Sequence, residues 1–72
     1  MTRMAKREQK IRRNTKNVSL DDFEWLIHQY GCIKMGGSHA IAVIGGISFA
    51  YPRKNPVGQP YVRRILEIID IS

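Results

Sequence analysis

Apolar residues along this chain recur in two different rhythms. Leu20, Phe23, Leu26, Ile27 and Tyr30 stand three and four apart, which puts them on one face of a helix. The same spacing returns near the end in Val62, Ile65, Leu66 and Ile69, with Arg63, Arg64 and Glu67 turned outward. Between these stretches the rhythm shortens, and three strands are predicted at Cys32–Met35, His39–Ile44 and Ile47–Tyr51. Gly45-Gly46 suits a two-residue hairpin turn, because both central positions of such a turn need positive φ. That turn pairs Ile44 with Ile47, Val43 with Ser48, Ala42 with Phe49, Ile41 with Ala50 and Ala40 with Tyr51. Most pairs set a large residue against a small one, which supports the register through packing. One sheet face then carries Ile44, Ile47, Phe49 and Tyr51, and the other Ile41, Val43 and, at its end, His39. Both faces read as apolar, so helices are expected on one side and at least a partial cover on the other.

The ends of these elements carry their own signals. Ser19 is a helix cap, Asp22 completes a capping-box pattern three residues on, and Val18 and Phe23 stand at the positions of a hydrophobic staple. Asp21 and Asp22 also suit the positive end of the helix dipole. Gly31 is expected to stop the helix in a left-handed conformation. Pro52 to Gln59 reads as a loop, and Pro60 suits the first position of the last helix. Residues 4–13 predict a short polar helix whose apolar residues are Met4, Ala5 and Ile11, marginal on its own. The expected fold is therefore α+β: a two-layer α-β-β-β-α domain with a three-stranded antiparallel sheet, preceded by a basic arm or short helix. The double-stranded-RNA-binding domain has this order of elements.

Charge divides the chain at the same place. Residues 1–17 hold Arg3, Lys6, Arg7, Lys10, Arg12, Arg13 and Lys16 against Glu8, which accounts for the whole net charge of +6. Residues 18–72, the domain proper, balance. The arm reads as a target for polyanions, nucleic acid before an acidic protein, or as a solvated tail. With 72 residues the chain is one small domain that must fold without an internal disulfide, since Cys32 is single. Cys32 is expected to be a small buried hydrophobe in a reducing compartment. The basic start is followed by no apolar stretch of a secretory signal, and Ala40 to Tyr51 is too short and too glycine-broken to span a bilayer. Without secretion the sequon at Asn17-Val18-Ser19 is idle, and the cytoplasm is the expected location.

Candidate chemistry narrows to one stretch, Met35-Gly36-Gly37-Ser38-His39-Ala40. No cysteine cluster or HExxH supplies a metal ligand set, and Gly36-Gly37-Ser38 lacks the ending of a P-loop. No cofactor is implied. Histidine is the side-chain type that exchanges protons near neutral pH, and the chain has two. His28 sits one turn after Glu24 and reads as its surface partner. His39 stands at the mouth of a strand beside two glycines, where a backbone without Cβ atoms lets a ligand approach. If RNA is the substrate, the reaction asking least of a protein is attack of a ribose 2′-OH on its own phosphate, and one histidine suffices to take that proton. Gly36 and Gly37 would admit the phosphate, Ser38 would hydrogen-bond the ribose or hold the turn, and Arg53 and Lys54 would clamp the anion. A structural histidine is the competing reading. Trp25 falls on the far side of its helix, as a partner-binding anchor or as a platform for the basic arm. Arg63 and Arg64 read as a solvated helix face rather than as RNA contacts.

Asn17-Val18-Ser19, the helix that runs to Gly31, Gly37-Ser38-His39, Tyr51-Pro52 and Pro60-Tyr61-Val62-Arg63-Arg64-Ile65-Leu66 together resemble the HicA family of small bacterial toxins over roughly residues 14–70. The resemblance implies a fold like the double-stranded-RNA-binding domain and a metal-independent ribonuclease that cleaves single-stranded mRNA. It makes His39 the catalytic residue and implies a HicB-type antitoxin as partner, with operator DNA met only through that antitoxin. Members often carry a second histidine or basic residue just after the motif and an aromatic two positions later. Those positions are Ala40 and Ala42 here, which points to weaker or differently placed substrate contacts. The alternative from another class is a non-catalytic RNA-binding or adaptor module of the same fold.

Overall fold

A computed structural model of the protein describes residues 5–71. Arg3 of the arm and Met4 of the first predicted helix lie outside the described residues. The elements run α1 (Lys6–Arg13), α2 (Leu20–Tyr30), β1 (Gly31–Gly36), β2 (His39–Ile44), β3 (Ile47–Pro52) and α3 (Gln59–Ile71). The three strands form one antiparallel sheet in the order β1-β2-β3, with α2 and α3 on one face. The two-layer α+β architecture is thus the expected one, with the short helix expected in front of it present as α1.

The predicted hairpin register is reproduced pair for pair, from Ile44 opposite Ile47 to Ala40 opposite Tyr51, and it extends to His39 opposite Pro52. Gly45 and Gly46 take φ of 56° and 82°, the left-handed values that a two-residue turn requires. A second two-residue turn, Gly37-Ser38, joins β1 to β2 with Gly36 opposite His39, and Gly37 has φ of 62°. Ala40, Ala42, Ile44 and Tyr51 face the helices and are buried with Phe23, Leu26, Ile27, Val62, Ile65, Leu66, Ile68 and Ile69. Tyr51 meets Phe23 edge to face at 4.9 Å, a favoured aromatic geometry. Small residues at 40 and 42 make room for Tyr51 and Phe49 across the strand pair.

Helix α2 begins as expected. The Asp22 amide donates to Ser19 Oγ at 3.1 Å, and Val18 and Phe23 are both buried. A further capping contact comes from outside the helix: the Leu20 amide donates to Asn55 Oδ1 at 3.0 Å. This contact sits beside a one-residue bridge in which the Val57 amide donates to the Val18 carbonyl. The loop after β3 therefore satisfies a helix start that is distant in sequence. Helix α3 starts one residue before Pro60, with the Gly58 carbonyl accepting from Tyr61 and Val62.

The end of α2 departs from expectation. Gly31 is not left-handed; its φ is −168°, and it is already the first residue of β1. The glycine is needed for space. A Cβ built there would lie 1.9 Å from the Val43 carbonyl oxygen, because the chain passes from helix to strand without a loop.

Helix α1 is part of the packed body. Ile11 is 2% exposed and belongs to the same core as the domain residues. Glu8 is 4% exposed, yet its two oxygens accept from Tyr30 Oη at 2.8 Å and Arg12 Nε at 3.1 Å. Arg12 also reaches both carboxylate oxygens of Asp70 on α3, and Arg7 bonds Asp22 on α2 at 2.7 Å. A buried carboxylate is tolerated when its hydrogen bonds are filled, and here they tie α1 to both other helices. This explains how a helix with one buried aliphatic residue holds: its stability is tertiary.

Candidate functional site

Strand alternation divides the sheet into a covered face and an open one. The open face is a grid of three rows: Cys32, Val43 and Ser48; Lys34, Ile41 and Ala50; and Gly36, His39 and Pro52. Ile41, Val43 and Pro52 are half-buried and the rest exposed. The expected cover on this side is absent among the described residues, because α1 packs with the other helices instead. Cys32 is correspondingly exposed, not buried as its residue type suggested.

His39 lies at the corner of this face, exposed, at the first position of β2. Ser38 Oγ is 3.1 Å from its Nδ1. The other ring nitrogen, Nε2, has no hydrogen-bond partner among the described residues. A hydroxyl both donates and accepts, so this contact can hold the ring whichever nitrogen bears the proton. Gly36 is paired with His39 across the turn, and Cβ atoms added to Gly36 or Gly37 would meet almost nothing. Ala40 and Ala42 point the other way, into the core. Neither position can place a side chain on the face that carries His39.

Arg53 is not assembled with these residues. Its guanidinium forms a two-pronged pair with Glu24 on α2, at 2.8 and 2.9 Å, and Tyr51 Oη donates to the same carboxylate at 2.7 Å. The reason is parity: Tyr51 and Arg53 are two apart and both turn toward the helices, whereas His39 and Pro52 turn away. Arg53 holds Glu24 below the ordinary carboxylate range, with a smaller contribution from the Tyr51 hydroxyl, against the opposing effect of burial. Burial first, then the Glu24 contact, pushes the Tyr51 hydroxyl well above its usual range. The surface pair expected between Glu24 and His28 is not a hydrogen bond, and His28 supplies only a minor electrostatic pull. Lys54 is exposed at the start of the loop.

These ties have a pH consequence. The carboxyls of Glu24, Asp22 and Asp70 are lowered chiefly by hydrogen bonds from Arg53, Arg7 and Arg12 respectively. A lowered carboxyl contributes stability that is present above its unfolded value and lost as pH falls through its folded one. The melting temperature is therefore expected to be lower at about pH 3 than at about pH 7, and more so than in an Arg53→Gln variant that has already lost one tie. Equal melting at both pH values would contradict this.

Trp25 meets the basic arm, one of its two expected roles. It is half-buried against the core, and Arg7 of α1 lies over its ring at 4.9 Å. Arg63 and Arg64 are exposed, with Arg64 paired to Glu67 one turn on, as a solvated face would be. The residue that sequence reading passed over is Lys34. It counted only as charge, but it shares the open face with His39. The signal was available: pairing Gly36 with His39 across the Gly37-Ser38 turn puts residue 34 on that face. Among the described residues, no three histidine, cysteine, aspartate or glutamate side chains come together as a metal site would need. Among the described residues, no helix is long and apolar enough to cross a membrane. No protein-family model, characterised protein or solved structure matches this chain.

Proposed function

We propose that this protein is an endoribonuclease toxin that cleaves single-stranded mRNA without a metal, with His39 as its catalytic residue. The observation that carries this is the state of His39 itself: exposed, held at Nδ1 by Ser38, with Nε2 open to a ligand beside a bare glycine backbone. The likeness of Gly37-Ser38-His39 to the HicA motif supplies the reaction class. In that reaction Nε2 takes the proton of a ribose 2′-OH as O2′ bonds to phosphorus. The bond to the 5′-oxygen breaks, and a proton is returned to that leaving oxygen. Ser38 Oγ accepts from Nδ1–H while Nε2 acts as base and after it becomes charged. The backbone amide of Gly37, in the two-residue turn and outside the strand ladder, is a donor for the charge growing on the phosphate.

The same reading gives the protein a HicB-type antitoxin as its neutralising partner, contact with operator DNA only through that partner, and a cytoplasmic location. Arg53 enters it as a structural tie rather than as a phosphate clamp, which leaves Lys54 as the cation after β3. Incubating purified protein with RNA in EDTA tests the proposal. Fragments ending in a 2′,3′-cyclic phosphate are expected. Salt-sensitive binding without any cleavage would instead identify a non-catalytic RNA-binding module.

A further inference from the structure

Gly36 is a glycine that the fold does not require. Its φ is not positive, and a Cβ there would touch only the His39 carbonyl oxygen, at 3.9 Å, an ordinary contact. Gly36 ends β1 beside the Gly37-Ser38 turn, and a backbone without a Cβ lets a ligand approach closely there. The missing side chain leaves a notch on the open face, in the row that His39 occupies and next to the row of Lys34. Lys34 and His39 are diagonal neighbours on adjacent strands, roughly 7–8 Å apart at the backbone. A lysine stem is long enough to bring its ammonium over the glycine between them.

The charge around this notch is one-sided. None of the nine residues on the open face is acidic. The five ion pairs among the described residues use Arg7, Arg12, Arg53 and Arg64, and leave Lys34 unpaired. We infer that the notch over Gly36, on the open face that also carries Lys34 and His39, is a phosphodiester-binding site that seats the scissile phosphate of RNA. Lys34 is its anchoring cation. The choice of RNA rests on the ribonuclease reading; the presence of a phosphate site does not. A cation on the same face can lie against the phosphate oxygens while His39 faces the neighbouring ribose, an arrangement denied to Arg53 on the covered side.

A short single-stranded 2′-O-methyl RNA, which has no free 2′-OH and cannot be cut, is the probe. Titrated into the ¹⁵N-labelled protein, it is expected to shift the amide signals of Lys34, Gly36 and His39 most. Lys34→Gln should weaken binding about tenfold and reduce the salt slope by about 0.7, and Lys34→Arg should restore most of both. Gly36→Val should keep the dispersed spectrum of the folded protein yet lose the probe, because its side chain fills the notch; Gly36→Ala serves the same purpose if the larger residue disturbs the strand. Lys10→Gln removes an equally exposed charge on α1 and should change affinity less than twofold.

Unaltered binding by the Lys34 and Gly36 variants would overturn the inference, as would an equal loss in Lys10→Gln. Binding at the notch by a protein that leaves ordinary RNA uncut would uphold the phosphodiester site and sink the nuclease reading together with the scissile assignment. Cleavage abolished by His39→Ala but untouched in Lys34→Gln and Gly36→Val would sink the inference and leave that reading standing.

Discussion

Replacing His39 by alanine is expected to lower RNA cleavage by about 10²–10⁴-fold, the range that a positioned general acid or base contributes. The fold should survive intact. His39 is exposed and outside the core cluster, and its side-chain hydrogen bond among the described residues is to the neighbouring Ser38. The variant should therefore melt within about 0.5 kcal/mol of the parent, as surface substitutions do, and should no longer arrest growth when expressed. Cleavage at the parental rate by a folded His39→Ala protein would remove the catalytic assignment. Ser38→Ala gives a graded companion result. Loss of the contact at Nδ1 frees the ring without deleting it, so a smaller fall is expected than for His39 itself.

The second large effect concerns the joint between helix and sheet. Gly31→Ala should destabilise the protein by about 3 kcal/mol, the upper part of the overpacking range. The added Cβ would sit 1.9 Å from the Val43 carbonyl oxygen, and that atom belongs to the central strand, which cannot swing away as a side-chain tip can. Small domains have little stability to lose, so the variant should be largely unfolded at physiological temperature. Thermal or urea unfolding checks this directly. A melting temperature close to the parent's would mean that β1 and β2 can part at that end at little cost. The same replacement at Gly36 should be nearly harmless to stability, which makes the two glycines a matched pair: one required by the fold, one not.

Local signals carried most of the architecture. The Gly45-Gly46 turn sets its register by geometry alone, so the pairing of β2 with β3 was readable residue by residue. Ser19 and the staple at Val18 and Phe23 announced α2 for the same reason, since a cap acts within one helical turn. Gly31 was read correctly as a stop and wrongly as a left-handed one. What requires a glycine there is the carbonyl of Val43, and no local rule sees an atom twelve residues away. The candidate site was half legible. His39 stood out by residue type and by its glycines, but the clamp assigned to Arg53 overlooked strand parity at the end of β3, where Glu24 takes the guanidinium. Lys34 was missed by the converse error, because the turn at Gly37-Ser38 was read as a ligand loop and not also as a hairpin.

By itself the sequence determined the order of helices and strands, the register of the second hairpin, the apolar faces of α2 (Tyr30 apart, which is exposed) and α3, and the prominence of His39. All of these depend on spacing within a few residues. Tertiary structure alone decided that α1 docks through Ile11, Glu8, Arg7 and Arg12, that one sheet face is uncovered among the described residues, and that Glu24 takes the guanidinium of Arg53. Those outcomes turn on which charges meet across distances of many residues. Glu24, Asp22 and Asp70 each had several cations to choose from, and only the packed arrangement of the helices settled which one lay within reach.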